Sequence, residues 1–393
     1  MTILPFDPAD EELFWSAVRE LPGFPVEEEI PLQDMVFQSE AVYALPEILN
    51  RNGINALKPL LLVMDSTPMK RKGESLKPLL AHFLQESGFD LRVMILEPDA
   101  SGQVHTDMAR IGGVKQRLAP DMGVLSVGSG VVTDITKHAC YLFEQDTGVQ
   151  LPYVVFQTAN SVTAYTSNMS VVFLDGVKRT LPSRYPNALV CDLETVADAP
   201  REMTAGGVGD LLAMYISLPD WRLANLLGMD SSYAEMGVDL FGSLDEILLE
   251  NAKAIRESTA EGMEVLAKLI ALAGLLSSFC HTTAPISGYE HVISHVLDMV
   301  NEAKNQPLAI HGSQVAAAAV YCAGAYEEFL RDFNPSSVDI SRCYPDESEI
   351  KPLVLKAFNS LDTNGKIASE CWADYQIKLN NWHAHRQDFS DFL

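Results

Sequence analysis

The chain has 393 residues, 53 acidic against 28 basic side chains for a formal net charge of −25, and 47% hydrophobic residues. That is enough for two domains and a large core, and the acidic balance argues against a nucleic-acid partner, which calls for basic patches. The six cysteines lie far apart without CxxC spacing, and nothing at the N-terminus reads as a signal peptide, so the expectation is a cytoplasmic protein with reduced thiols.

Residues 1–57 are acidic and proline-containing, with a Glu27-Glu28-Glu29 run, and read as a peripheral N-terminal extension or an oligomer contact. From Pro59 the pattern alternates: strand (LLLVMD), helix over about 75–86, strand (LRVMILEP), helix over about 107–118, strand (GVLSV). Such βαβ alternation predicts a parallel sheet with right-handed crossovers. Lys70-Arg71-Lys72 reads as a solvated loop. Asp65 ends the first of these strands, with Ser66 and Thr67 after it. A carboxylate there can accept both hydroxyls of an adenosine ribose and repel a 2′-phosphate, which favours NAD and leaves NADP possible; it can equally be a strand-end turn residue. Because the acid precedes the glycine loop instead of following it, the common dinucleotide fingerprint fails.

The stretch GSGVVTDITK, Gly128 to Lys137, joins a strand to a helix through glycines. The unpaired N–H groups at such a helix start can face a phosphate, although a glycine turn of any α/β protein looks the same. Asp134 and Lys137, one turn apart, suit a cofactor's polar groups or a solvated ion pair. PYVVFQT (152–158) is the next strand, and the Ser/Thr-rich loop behind it offers Thr158, Ser161 and Thr163 to a cofactor or substrate. Asp175-Gly176 within 169–181 predicts a β-hairpin. A short strand over 188–191 ends at Asp192.

Beyond Pro200 strand signals stop, and helical periods cover 201–216, 220–227, 233–258, 262–280, 287–303 and 311–330. The expected architecture is an α/β, Rossmann-like nucleotide-binding domain over 1–199 and an all-α domain over 200–393. The most apolar run, 265–280, falls short of the roughly 20 residues of a membrane span and reads as a core helix. Asp210 (AGGVGD), His291 (YEHVISH) and His311 (AIHGSQV) are the residue types of a catalytic divalent site, two imidazoles and a carboxylate that leave positions open. His291 and His295, four apart, form a competing pair. Glu290 precedes the first histidine, so a zincin protease motif is absent. His383 and His385 read as a surface feature.

GSGVVTDITK, the QTANS loop, VCDLETVADAPREMTAGGVGDLLAMYISLPDWRLAN, SGYEHVISHVLD and IHGSQVA together resemble the glycerol-1-phosphate dehydrogenase branch of the iron-containing alcohol dehydrogenase and dehydroquinate synthase superfamily, over roughly residues 35–330. The resemblance implies a dehydroquinate synthase-like fold with NAD(P) and one divalent metal, zinc ahead of iron, in the cleft between the halves. By position, Asp210, His291 and His311 would be the metal ligands, Met214 standing where some iron-dependent relatives have a histidine. Gly128, Ser129 and Gly130 would take the pyrophosphate; Asp134, Lys137, Thr158 and Ser161 the nicotinamide side; Asp65, with Thr67, the adenosine ribose. Apart from the resemblance, Thr163 is a catalytic candidate, and His295, one turn from His291, is a candidate proton relay or equally a helix-packing histidine.

Two departures bear on the substrate. Thr163 stands where the family has an acid near Ser161, and Ala284 where the glycerol-phosphate branch has an arginine, so phosphate should be held less strongly or by Lys178 and Arg179. The implied activity is hydride transfer between NAD(P) and a polyol, its phosphate or the matching ketone, in an expected homo-oligomer without a membrane span. The alternatives are a dehydroquinate synthase-like lyase or cyclase that recycles NAD, and a non-catalytic nucleotide-binding relative.

Overall fold

Apolar runs with no polar alternation, such as those at 60–64 and 153–156, are dictated by strands buried on both faces. In the computed structural model, which describes residues 6–32, 34–339, 342, 346–359, 361 and 365–392, they form the middle of one sheet. Cys343 lies outside the described residues. The strands are β1 (Asp34–Gln38), β2 (Pro59–Asp65), β3 (Lys70–Arg71), β4 (Glu74–Ser75), β5 (Asp90–Leu96), β6 (Gly123–Gly128), β7 (Tyr153–Gln157), β8 (Met169–Leu174), β9 (Val177–Pro182) and β10 (Ala188–Asp192). Six of them make a fully parallel sheet in the order β1-β10-β7-β6-β2-β5. Helices α1 (Glu11–Arg19), α2 (Ala41–Arg51), α3 (Leu76–Glu86), α4 (Met108–Lys115), α5 (Gly130–Thr147) and α6 (Leu193–Ala197) accompany it.

The chain leaves β2 for the edge at β5 and returns to β6 on β2's other side. At that reversal the loops after neighbouring strands diverge and open a crevice at the strands' C-terminal ends. Asp65 and the Gly128–Gly130 turn therefore face each other across it. Gly130 has no room for a side chain, since a Cβ there would lie 2.4 Å from Val162 Cγ2. The predicted hairpin is β8–β9, with Asp175 (φ 52°) and Gly176 (φ 85°) both left-handed, as a two-residue hairpin turn requires.

After β10 the described chain is helical: α7 (Arg201–Leu212), α8 (Met214–Leu226), α9 (Met236–Phe241), α10 (Leu244–Arg256), α11 (Ala260–Phe279), α12 (Tyr289–Ala303) and α13 (His311–Asp332), then helices Glu347–Phe358 and Lys366–Phe392. The period expected to run through 216 breaks at Ala213, and the one over 233–258 splits between α9 and α10 at Gly242-Ser243. α11 is longer than its sequence suggested. Its 20 residues could cross a membrane by length, but nearly all of it is buried within the protein, so packing identifies it as a core helix.

Two readings of the N-terminal half need correction. The stretch 1–57 is not simply peripheral: Asp34–Gln38 is an edge strand paired in parallel with β10, and α2 packs beside it. Its alternating burial hid it among charged residues. Arg71 is not solvated either. It is 3% exposed, its Nε donating to Asp192 Oδ2 at 2.9 Å and its Nη2 to Glu40 Oε2 at 2.7 Å. Asp192, at 0% exposure, also accepts from the Val42 N–H and from Thr195 N–H and Oγ1–H, so one carboxylate ties α2, β3, β10 and α6 together.

Removing one partner of such a buried pair leaves an uncompensated charge. Arg71→Met should therefore lower the unfolding free energy by about 3–5 kcal/mol in chemical denaturation, and adding Asp192→Asn should recover part of the loss. Equal stability of Arg71→Met and the unaltered protein would show that the knot contributes nothing.

Candidate active site

Helices α7 and α13 touch backbone to backbone. A Cβ on Gly209 would lie 2.2 Å from the Gly312 carbonyl oxygen, and one on Gly312 would lie 1.8 Å from that of Gly206. Only glycine permits this approach, which accounts for the AGGVGD and IHG motifs. Asp210 directly follows Gly209 and His311 directly precedes Gly312, so the contact brings these two side chains together. α12 supplies His291 from a third direction. One ligand atom from each of Asp210, His291 and His311 lies within 4.8 Å of the others.

The pairing of each atom fits a divalent cation at that point. Asp210 is buried; its Oδ2 accepts from Thr163 N–H (2.9 Å) and Oγ1–H (3.0 Å), whereas its Oδ1 has no hydrogen-bond partner among the described residues. That orphaned oxygen faces His291 Nε2 at 3.5 Å and His311 Nε2 at 3.7 Å. Behind His291, Nδ1 lies 2.8 Å from Oε1 of Glu290, which is fully buried and also accepts the Gly288 N–H. A carboxylate only accepts, so Nδ1 carries the proton and Nε2 offers its lone pair. Behind His311, the Ser294 hydroxyl donates to Gln314 Oε1 (2.8 Å) and so accepts from His311 Nδ1 (3.2 Å), with the same result.

Protonation follows the same charges. Burial pulls His291 down, but Asp210 and Glu290 outweigh it and raise its pKa to about 9. A divalent ion on Nε2 would take that proton's place. Burial first, then the positive charge of Lys178 and the neighbouring histidines, holds His311 well below the usual imidazole range. His295 is lowered likewise by burial, Lys178 and His291. Its ring lies 6.0 Å from that of His291 and 5.6 Å from that of His311, outside the converging set and on the wall of the same cleft.

The cleft, ≈ 410 Å³, runs from Asp65, Ser66 and Thr67 past Ser129 and Gly130 to the three converging residues. Asp134, Ser161 and Thr163 line it as well. Several expected roles shift. Lys137 is fully buried behind the wall, bound to Ala164 O (2.8 Å) and Asp134 Oδ1 (3.1 Å); its length carries the ammonium back into the packing under the loop. Burial pushes Asp134 up and Lys137 down, each restrained by the other. Thr158 is buried and off the wall, its N–H closing onto Gly128 O (3.1 Å), and Gly128 ends β6 just behind the turn. The Thr163 hydroxyl is committed to Asp210 and positions that carboxylate.

Sequence reasoning missed four supports: Glu290, Ser294, Gln314 and Lys77. Lys77 Nζ lies 2.5 Å from Asp65 Oδ1 and 2.6 Å from both Asp65 O and Thr67 O, while Thr67 Oγ1–H donates to Asp65 Oδ2 (2.8 Å). The Asp65 charge is therefore neutralised. Only Glu290 carried a sequence signal, its place beside a histidine. Of the two alternative phosphate cations, Lys178 lines the cleft, whereas Arg179 pairs with Glu370 and Asp374 on the helix Lys366–Phe392.

Residues 36–200 match the profile of the iron-containing alcohol dehydrogenases. The chain is 30% identical over 300 residues to a glycerol-1-phosphate dehydrogenase, NAD(P)+, of Bacillus velezensis, covering 76% of this chain and 73% of the relative. It is 29% identical over 313 residues to the Bacillus subtilis protein of the same name, covering 78% and 76%. The crystal structure of glycerol dehydrogenase from Schizosaccharomyces pombe shares the fold, with a TM-score of 0.57 at 16% identity over 86% of this chain and 75% of that one.

If Glu290 orients His291, Glu290→Ala should weaken zinc binding, measured by chelator competition, by about 10–100-fold, and Glu290→Gln should weaken it less because its amide oxygen still accepts from Nδ1. An unchanged zinc dissociation constant in Glu290→Ala would remove Glu290 from the site.

Proposed function

Because the chain belongs to the iron-containing alcohol dehydrogenase family, we infer a specific division of labour along its cleft. The protein is an NAD(P)-linked polyol dehydrogenase that works with a metal. The observation that carries the rest is the orphaned Asp210 Oδ1 facing two imidazole Nε2 atoms in the same cleft that opens at Gly130.

Asp210, His291 and His311 would hold one divalent ion, and zinc suits a three-ligand site of two imidazoles and a carboxylate in a reaction where the metal need not change oxidation state. Bound there, the ion supplies Lewis acidity to a substrate oxygen. Thr163, Glu290, Ser294 and Gln314 keep the three ligand side chains aimed. The N-terminus of α5, at Ser129 and Gly130, presents unpaired N–H groups and the positive end of the helix dipole to a pyrophosphate. Asp134 and Ser161 line the same cleft and would meet the nicotinamide amide there. His295, one turn after His291 on the same wall, is placed to move the hydroxyl proton as hydride passes between the carbinol carbon and the nicotinamide.

At the ribose end, Lys77 changes the argument for NAD. With the Asp65 carboxylate neutralised, a 2′-phosphate meets no net negative charge, so both dinucleotides are accommodated. Lys77→Met exposes the bare carboxylate and should raise the KM for NADP by roughly tenfold or more while changing that for NAD little. Parallel changes for both cofactors would place the adenosine ribose elsewhere.

The activity itself is tested with zinc-loaded protein, NADH or NADPH, and dihydroxyacetone, followed by nicotinamide absorbance. Net oxidation of the cofactor is expected, and its loss in Asp210→Asn. Conversion of substrate with no net change in cofactor would assign a lyase or cyclase instead.

A further inference from the structure

We propose that Lys178 and Asp298 form a subsite that reads the end of the substrate remote from the metal ligands and selects a neutral hydroxymethyl group over a phosphate ester. The proposal rests on the polyol dehydrogenase reading above and names the substrate class within it.

Asp298 lies seven residues after His291, so His291, His295 and Asp298 share one face of α12, two turns end to end or about 10 Å of axial rise. All three line the cleft. Lys178 reaches the same place from β9, its Nζ 2.5 Å from Asp298 Oδ2. Both side chains are largely buried, at 12% and 3% exposure. Asp298 Oδ1 has no hydrogen-bond partner among the described residues. A buried carboxylate oxygen on a cleft wall without a donor is costly unless a ligand supplies one.

A hydroxymethyl group satisfies both halves of the pair with one oxygen, donating its O–H to Asp298 Oδ1 and accepting an N–H from Lys178. A phosphate dianion has acceptors only. It could engage Lys178 only by competing with Asp298, and it would lie against an unpaired carboxylate oxygen of like charge. Lys178 is the only lysine or arginine among the described residues lining the cleft. Arg179 is drawn away by Glu370 and Asp374, and position 284 is alanine. The relatives are named for a phosphorylated substrate, so this subsite would separate the chain from them.

The test uses the full-length zinc-loaded protein with NADH and three ketones: dihydroxyacetone, erythrulose and dihydroxyacetone phosphate. One of the unphosphorylated ketones should have the highest kcat/KM, and inorganic phosphate should inhibit weakly. Asp298→Asn frees the Lys178 charge and should raise the efficiency for dihydroxyacetone phosphate, relative to the better unphosphorylated ketone, by at least roughly tenfold. NADH binding, read by fluorescence, should be unchanged. Dihydroxyacetone phosphate as the best substrate of the unaltered protein would overturn the subsite while leaving the dehydrogenase reading intact. So would an unmoved ratio in Asp298→Asn that still binds NADH. If the variant does not fold, the ranking in the unaltered protein decides alone. Failure to reduce any of the three would overturn the polyol reading, and the subsite with it.

Discussion

The backbone contact between α7 and α13 is the constraint on which the site depends. Two helices whose facing residues carried even a methyl group would stand further apart, because close-packed interiors do not absorb extra volume at a backbone contact. Asp210 and His311 are the residues next to that contact, so their separation is set by the glycines. The same helix is pinned on another side, where a Cβ on Gly207 would lie 2.1 Å from the Asn160 carbonyl oxygen. That holds α7 against the loop after β7, which carries Thr163 to Asp210 Oδ2. One helix thus fixes the distance between two of the proposed ligand residues and joins the helical half to the sheet.

Charge along the cleft follows one rule with one exception. Asp65 has Lys77, Asp134 has Lys137 and Asp298 has Lys178. Among the described residues Asp210 has no lysine or arginine partner, only a threonine on one oxygen and two imidazole nitrogens facing the other. A buried carboxylate needs a positive neighbour; Asp210 has the proton it helps to hold on His291, and a divalent ion between the two Nε2 atoms would take that proton's place. Electrostatics and ligand chemistry therefore agree on where a cation belongs. The pairing of Asp65 and Asp134 has a second consequence: that part of the cleft would accept an anionic cofactor even though carboxylates line it.

Much of this was legible along the chain. Continuous apolar runs alternating with helical periods give the parallel sheet, Asp-Gly between alternating residues gives the hairpin, and the change of pattern near residue 200 gives the helical half. The motifs around Asp210, His291 and His311 pointed to a ligand set by residue type, and the glycines beside two of them turn out to be why they meet. Local pattern could also mislead. Asp34–Gln38 carries a strand's alternation within an acidic stretch, and Arg71 sits in a basic triplet although it is buried. In both cases the deciding partner, β10 or its terminal Asp192, lies more than 100 residues away.

What the sequence determined alone are properties carried by neighbours in the chain: periodicity, turn chemistry, the glycine turn before α5 and the identity of the side chains able to bind metal. Only the tertiary structure decided which of them face a common space. Lys137 and Thr158 share a turn or loop with residues on the cleft wall yet point into packing. Lys77, Ser294 and Gln314 showed no functional pattern, and Glu290 only its place beside a histidine, yet they neutralise or orient groups in the cleft. The physical reason is that a side chain's charge state, tautomer and free lone pair are set by whatever lies within hydrogen-bonding distance, and in this fold that is usually another element of the chain.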